Sequence, residues 1–169
     1  GSKVLDMACG WAPFTRYIVK ERGADSIGLT LSQGQADACQ KNGFNVMVKD
    51  CRTVKPADFG TFDAITCIGG LEHFCSVEEW QAGKQEQVYV DFFKTLYDLL
   101  PVGGRFYMQT MVFSKNMIPF EELDVDADKN TTAYIMALMI KQFPGSWLPD
   151  GPEMVIKCAE PGFKLISKS

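Results

Sequence analysis

Asp6 opens the most chemically suggestive stretch of the sequence, Lys3–Pro13, which reads KVLDMACGWAP. A short apolar run ends there, Ala8 and Gly10 bracket Cys9, and Trp11 precedes Pro13. Small residues so placed let the backbone turn tightly and come close to a ligand. Proline suits the first position of a helix, where no intrahelical N–H partner is lost. The letters describe a strand–turn–helix nucleotide loop, and an ordinary βα turn would share them. Glu72 and His73 follow Gly69-Gly70 at the end of another apolar run. Ligands of open α/β sheets bind where the strand order reverses, which is where an acid after the fourth strand would stand. A solvated loop acid is the alternative for Glu72. His73 is the single histidine and is suited to carry a proton near neutrality, or else is structural.

The loop discriminates between nucleotides. A dinucleotide site calls for GxGxxG and an acid about 20 residues later, at the end of the second strand. Here the corresponding letters are Ala8, Gly10 and Pro13, and the second strand ends in Thr30 and Leu31. Asp25 lies at the wrong end of that strand. S-adenosylmethionine (SAM) has no phosphate to cradle, and its ammonium and carboxylate ends want an acid such as Asp6 and backbone groups. Its adenine wants an apolar slot and a polar partner near the third strand end, where Asp50 and Cys51 sit. The reading is a class I methyltransferase.

The elements that must position these residues follow from pattern. A helix is expected over Phe14–Glu21, closed by Gly23. A strand is expected over Ser26–Leu31, then a helix over Gln33–Lys41 with Ser32 and Gln35 as a capping box. Further strands are expected over Asn45–Lys49 and over Ala64–Gly70, the latter buried on both faces of a parallel sheet. From Gln87, Val88, Phe92, Leu96 and Leu99 recur with helical spacing until Pro101. Arg105–Phe113 reads as a fifth strand. Alternation of this kind gives an α/β fold with a parallel sheet between helix layers. Beyond it, Ser114–Asn130 is polar and irregular, Thr131–Gln142 is a helix apolar almost all round, and Glu153–Ala159 is a helix. Phe163–Ser167 is expected to be a last strand.

Length and composition bound the partners. A chain of 169 residues is expected to be one domain with a sizeable core. A net charge of -4 argues against a nucleic acid, which needs clustered Lys and Arg. No apolar run approaches the roughly 20 residues of a membrane span, and no leader is read. Six cysteines without a CxxC pair suit a reducing cytoplasm better than disulfides or a metal site. Asp124, Asp126, Asp128 and Asn130 alternate as in a calcium loop. Lys129 and Ile135 occupy the positions that need glycine and glutamate, so the segment is read as a solvated acidic lid. Tyr134, Met136, Leu138, Met139 and Ile140 would be a pocket wall or plain core. Both ends are abrupt, as in a fragment whose flanks are missing.

Several segments resemble the cyclopropane fatty acid synthase and mycolic acid methyltransferase family. VLDMACGW is similar to its SAM loop, and TLSQGQ (Thr30–Gln35) to the TLSxxQ segment that replaces the usual acid. LEHF (Leu71–Phe74), YVDFFKTLYDLLPVGGRFYMQT and FPGSWLP (Phe143–Pro149) complete the likeness. The resemblance implies that Asp6, Ala8, Cys9, Gly10 and Trp11 lie against the methionine part of SAM. Thr30, Ser32 and Gln35 would reach the ribose, with Asp50, Cys51 and Arg52 near the adenine. Glu72 would hold a bicarbonate ion, the base. The family's second bicarbonate ligand, a histidine, aligns with Gln109, which can donate a hydrogen bond but not take up a proton near neutrality. Residues 114–150 would be a substrate-covering insertion. Ala8 and Ala12 replace glycines, which requires that both keep negative φ. Val77–Glu86 is surplus to the family pattern.

The implied chemistry is alkylation of an unsaturated acyl or lipid substrate, in the cytoplasm or at a membrane surface. Methyl transfer to the double bond leaves a carbocation, from which a base near Glu72 removes a proton. Glu72 and Phe74 are candidates to stabilise that cation. An amine N-methyltransferase with Glu72 and His73 orienting the amine, or a non-catalytic SAM-fold module, are the alternatives.

Overall fold

The computed structural model describes residues 1–114 and 117–169; Lys115 and Asn116, part of the segment expected to be irregular, lie outside the described residues. Contacts divide the chain into two compact units, 1–70 with 90–110, and 71–89 with 111–169.

The first unit holds a five-stranded sheet in the order β3-β2-β1-β4-β5. Its strands are β1 (Lys3–Met7), β2 (Asp25–Thr30), β3 (Val46–Val48), β4 (Ala64–Ile68) and β5 (Arg105–Gln109). Every pairing is parallel, as the alternation of elements predicts. The crossovers carry α1 (Pro13–Arg22), α2 (Gln33–Lys41), α3 (Pro56–Phe59) and the later part of α5 (Gln85–Leu99). Leu5, Met7, Leu29, Val46, Ile65 and Cys67 are buried in the strands, and α5 adds Phe92, Leu96 and Leu99 on one face. The apolar runs of β1 and β4 are thus strands covered on both sides. β5 stops at Gln109, short of the predicted Phe113, because its register with β4 ends at the pair Ile68–Gln109.

The turn between β1 and α1 departs from expectation. Ala8 and Ala12 have φ of 60° and 57°, and Gly10 between them has φ of 56°. Both alanines therefore adopt the left-handed backbone that a glycine would accept without strain. The condition of negative φ is not met, and the turn keeps the shape of a glycine loop with methyl groups added. The Ala12 methyl finds neighbours: Ala12, 1% exposed, packs with Cys9, Ala36, Cys39 and Val46.

In the second unit a 3₁₀ turn, Leu71–His73, leads to α4 (Val77–Gln81) and the first turn of α5. Ser76 and Glu79 form a capping box at the start of α4, so the surplus segment opens with a helix and closes with the start of α5. Two more helices are present, α6 (Thr132–Gln142) and α7 (Pro152–Ala159). Trp147 is buried between Trp80, stacked at 4.1 Å, and the edge of Phe113 at 4.7 Å. Met136, Met139 and Ile140 of α6 pack against this cluster, whereas Ile135 and Leu138 are exposed. The all-round apolarity of α6 thus resolves into a core side and an uncovered side. The predicted strand Phe163–Ser167 is absent; the Phe163 N–H instead turns back to the Ala159 carbonyl at 3.0 Å, off the end of α7.

Two substitutions test this account of the turn. Ala8→Gly should stabilise the protein by about 0.5–1 kcal/mol by releasing the left-handed strain. At Gly28 a Cβ would stand 2.9 Å from Cys9 Sγ and 3.1 Å from Val46 Cγ2. Gly28→Ala should therefore destabilise by about 1–3 kcal/mol. Urea unfolding of both variants gives the two signs.

Candidate active site

The sheet order reverses beside β1, which sits between β2 and β4. In a parallel sheet all carboxyl ends share one edge, and the predicted donor residues fall on it. Asp6 is the penultimate residue of β1, Thr30 ends β2, Asp50 follows β3 and Gln109 ends β5.

Asp6 is only 2% exposed. Its Oδ2 accepts from Thr15 Oγ1 at 2.8 Å, and its Oδ1 accepts from Thr66 Oγ1 at 3.1 Å. Burial pushes its carboxyl above the usual range, while the two hydroxyls and the Thr15 backbone N–H pull it back. Cys9 is also buried, its thiol pushed up to about 12 by burial and by the Asp6 charge, so it stays protonated. The Cys9 N–H donates to the Leu29 carbonyl at 2.8 Å, tying the turn to β2.

Thr30, Ser32 and Gln35 form a closed hydrogen-bond set at the start of α2. Thr30 Oγ1 donates to Gln35 Oε1 at 2.5 Å and accepts from the Ser32 N–H at 3.2 Å. Ser32 Oγ accepts from the Gln35 N–H at 3.3 Å. The capping box expected here is therefore only half formed: Ser32 caps the helix, but the Gln35 side chain turns to Thr30. After β3, Asp50 caps a 3₁₀ turn, Cys51–Thr53, and takes the Arg52 guanidinium at 2.8 Å. That guanidinium holds the Asp50 carboxyl below its usual range, and burial raises the Cys51 thiol to about 12.

Two apolar residues not foreseen as site residues share the same sheet edge. Leu31 is 72% exposed after β2, Val48 is 45% exposed at the end of β3, and Trp11 is 69% exposed in the first turn. Large apolar side chains left uncovered at three successive strand ends suit a flat aromatic ligand. A polar residue ahead of an apolar one at the strand end, as in Thr30-Leu31, was the available signal. Thr15 and Thr66 were also missed; each is a lone hydroxyl at a buried position of an apolar element.

Glu72 and His73 belong to the second unit. Glu72 is 5% exposed, and so is not a solvated acid. His73 is exposed, with Nδ1 3.2 Å from Ser146 Oγ and its ring 5.3 Å from Phe143. Both partners come from the FPGSWLP loop. The same loop is held by Trp147 N–H to the Cys75 carbonyl at 2.8 Å and by buried Gln85, whose Nε2 donates to the Leu148 carbonyl at 2.9 Å. Phe113 N–H adds a third bond, to the Pro149 carbonyl at 2.8 Å. Gln109 is exposed at its strand end, where its carbonyl accepts from the Gly69 N–H at 2.9 Å. Among the described residues no group of three or more His, Cys, Asp or Glu is placed to hold a metal ion.

The model of the mycolic acid cyclopropane synthetase family matches residues 1–169. The chain belongs to that family. Cyclopropane mycolic acid synthase 3 of Mycobacterium tuberculosis is 27% identical over 169 residues, covering 98% of this chain and 55% of that protein. The family member thus spans about half the length of the curated relatives it matches. The cyclopropane synthase MmaA2 from Mycobacterium tuberculosis superposes with a TM-score of 0.75 at 24% identity, over 99% of this chain and 56% of that one. The mycolic acid cyclopropane synthase CmaA1 complexed with SAH and CTAB gives 0.68 at 25% identity, over 99% and 56%. The fold is the Rossmann-like fold of class I methyltransferases.

The buried Asp6 gives a stability prediction. Because its folded pKa lies above the unfolded value, ionised Asp6 opposes folding at neutral pH, and the penalty is relieved as pH falls through the folded pKa. Acidification should therefore raise the stability of the parent relative to that of Asp6→Asn, whose altered hydroxyl bonds shift stability equally at every pH. Thermal scans across pH check the sign.

Proposed function

We propose that the chain is the donor-binding and catalytic core of a SAM-dependent C-methyltransferase of the cyclopropane synthase type, acting on an unsaturated fatty-acyl lipid. The family match over the whole chain carries this reading. The strand-end site fits the donor chemically. Leu31 and Val48 offer apolar faces for an adenine, Trp11 one for the methionine part, and Gly10 has open space where a side chain would intrude. With Oε1 engaged by Thr30, Gln35 keeps its amide N–H groups for the ribose. Asp50 and Arg52 stand at the third strand end, where the adenine edge would be read. Asp6 contributes negative charge beneath the turn. Its burial and its two hydroxyl partners assign it to the site's field and shape rather than to direct grip.

When bound, SAM supplies a methyl group on an electron-poor sulfonium, so the protein's task is alignment and charge. Transfer of the methyl to a double bond leaves a cation on the acyl chain. Loss of a proton from the added carbon then closes the ring. Glu72 is the residue proposed to hold the proton acceptor, a bicarbonate in the reading by resemblance. Gln109 stands where the resemblance puts the family's second bicarbonate ligand, and a glutamine donates through its amide N–H without taking up a proton. Phe74 and Glu72 would steady the cation. The lipid is met at a membrane surface from the cytoplasmic side; six cysteines without a CxxC pair support that compartment.

Mass spectrometry of lipids from cells making the protein tests the reading. A mass gain of one methylene or methyl is expected, and Glu72→Gln should reduce it by on the order of a hundredfold or more. An unchanged lipid profile with the parent protein, alongside methylated amines, would replace this reading with amine N-methylation.

A further inference from the structure

We infer that Thr15 and Thr66 are positioning residues of the donor site, which act by holding Asp6 charged beneath the turn between β1 and α1. The proposal rests on the reading of that site as one for a cationic donor. Its basis is the register of the sheet. On one side Asp6 is paired with Gly28 of β2, which has no side chain to donate. On the other it is paired with Thr66 of β4, whose hydroxyl reaches Oδ1 at 3.1 Å. Thr15 reaches Oδ2 at 2.8 Å from the first turn of α1. That bond spans the whole left-handed turn, joining the residue before it to the helix after it. Thr15 is 0% exposed and Thr66 is 6% exposed, so water does not replace either hydroxyl readily.

A carboxylate this deep is held ionised only by donors aimed at it. Two unit charges a few ångströms apart in a protein attract by a few kcal/mol at an effective dielectric of about 20. Ionised Asp6 therefore favours a positively charged ligand over the turn, and protonated Asp6 does not. The other titratable group coupled to Asp6 is the Cys9 thiol on the same turn, which is neutral across the physiological range. The facing element β2 offers only Gly28, and β4 and α1 offer the two uncharged threonines.

The test is the affinity for SAM as a function of pH, measured by calorimetry on the purified protein. With the parent, binding is expected to weaken as pH falls through the Asp6 pKa. Thr15→Val and Thr66→Val should each move that midpoint upward and weaken binding about tenfold at pH below it, the equivalent of one charge-assisted hydrogen bond, with affinity well above the midpoint little changed. Thr15→Ser should restore the midpoint, and Asp6→Asn should abolish the pH dependence. Weaker binding with an unmoved midpoint would overturn the proposal, since a merely loosened turn weakens binding equally at every pH. Parent protein that binds SAM with no acid-side weakening overturns it too. Failure of the parent to bind SAM at any pH overturns the donor-site reading and this inference with it.

Discussion

A nearly inaccessible carboxylate stands one residue before the end of the central strand, and two threonine hydroxyls satisfy it. This arrangement ties together the three elements that meet at the switch point: β1 carries Asp6, β4 carries Thr66, and α1 carries Thr15. Between Asp6 and Thr15 the chain makes a turn with three left-handed residues, two of them alanine. Such residues persist only where the surroundings over-determine them. The Asp6–Thr15 bond, the Cys9 N–H bond to Leu29 and the burial of the Ala12 methyl supply that restraint. A turn fixed in this way holds its backbone in one arrangement, with the Cys9 and Ala12 N–H groups already spent on the Leu29 and Cys9 carbonyls.

Around this point the strand ends share a division of labour. Polar side chains satisfy one another: Thr30 with Gln35, Asp50 with Arg52, Asp6 with its threonines. Apolar side chains are left uncovered at the ends of the first three strands or in the turns that follow them. The polar groups of the site are therefore fixed by the protein's own side chains. The second unit is organised by different means, through the stacked Trp80 and Trp147 and the bonds that fasten the FPGSWLP loop to Cys75, Gln85 and Phe113. His73 takes part in that fastening through Ser146 and Phe143.

Much of the fold was legible because parallel strands buried on both faces leave continuous apolar runs. AITCI and the helix Gln33–Lys41 were read at or near their observed limits for that reason and because Ser32 marks a helix start. What failed was decided by tertiary context. That Ala8 and Ala12 adopt positive φ runs against the cost of a Cβ there, and only their place at glycine positions of the family pointed to it. The Gln35 carbonyl oxygen accepts from the Thr30 hydroxyl instead of from the Ser32 N–H, a competition between two donors that spacing alone does not resolve. Phe163–Ser167 has strand-like letters but, among the described residues, no strand to pair with. Thr15 and Thr66 looked like neutral interruptions of apolar elements, and only the register set them against Asp6. The helix Val77–Gln81, treated as surplus, carried its own capping box and was readable from Ser76 and Glu79.

The central claim is that a SAM-type donor sits on the carboxyl edge of the sheet, over β1, β2 and β3. Hydrogen–deuterium exchange with and without SAM addresses it directly. The account predicts slowed exchange in the turn at residues 8–12, at residues 30–35 and at residues 50–52, with the opposite ends of the same strands unchanged. Protection that spares those three segments, or no protection at saturating SAM, would contradict it.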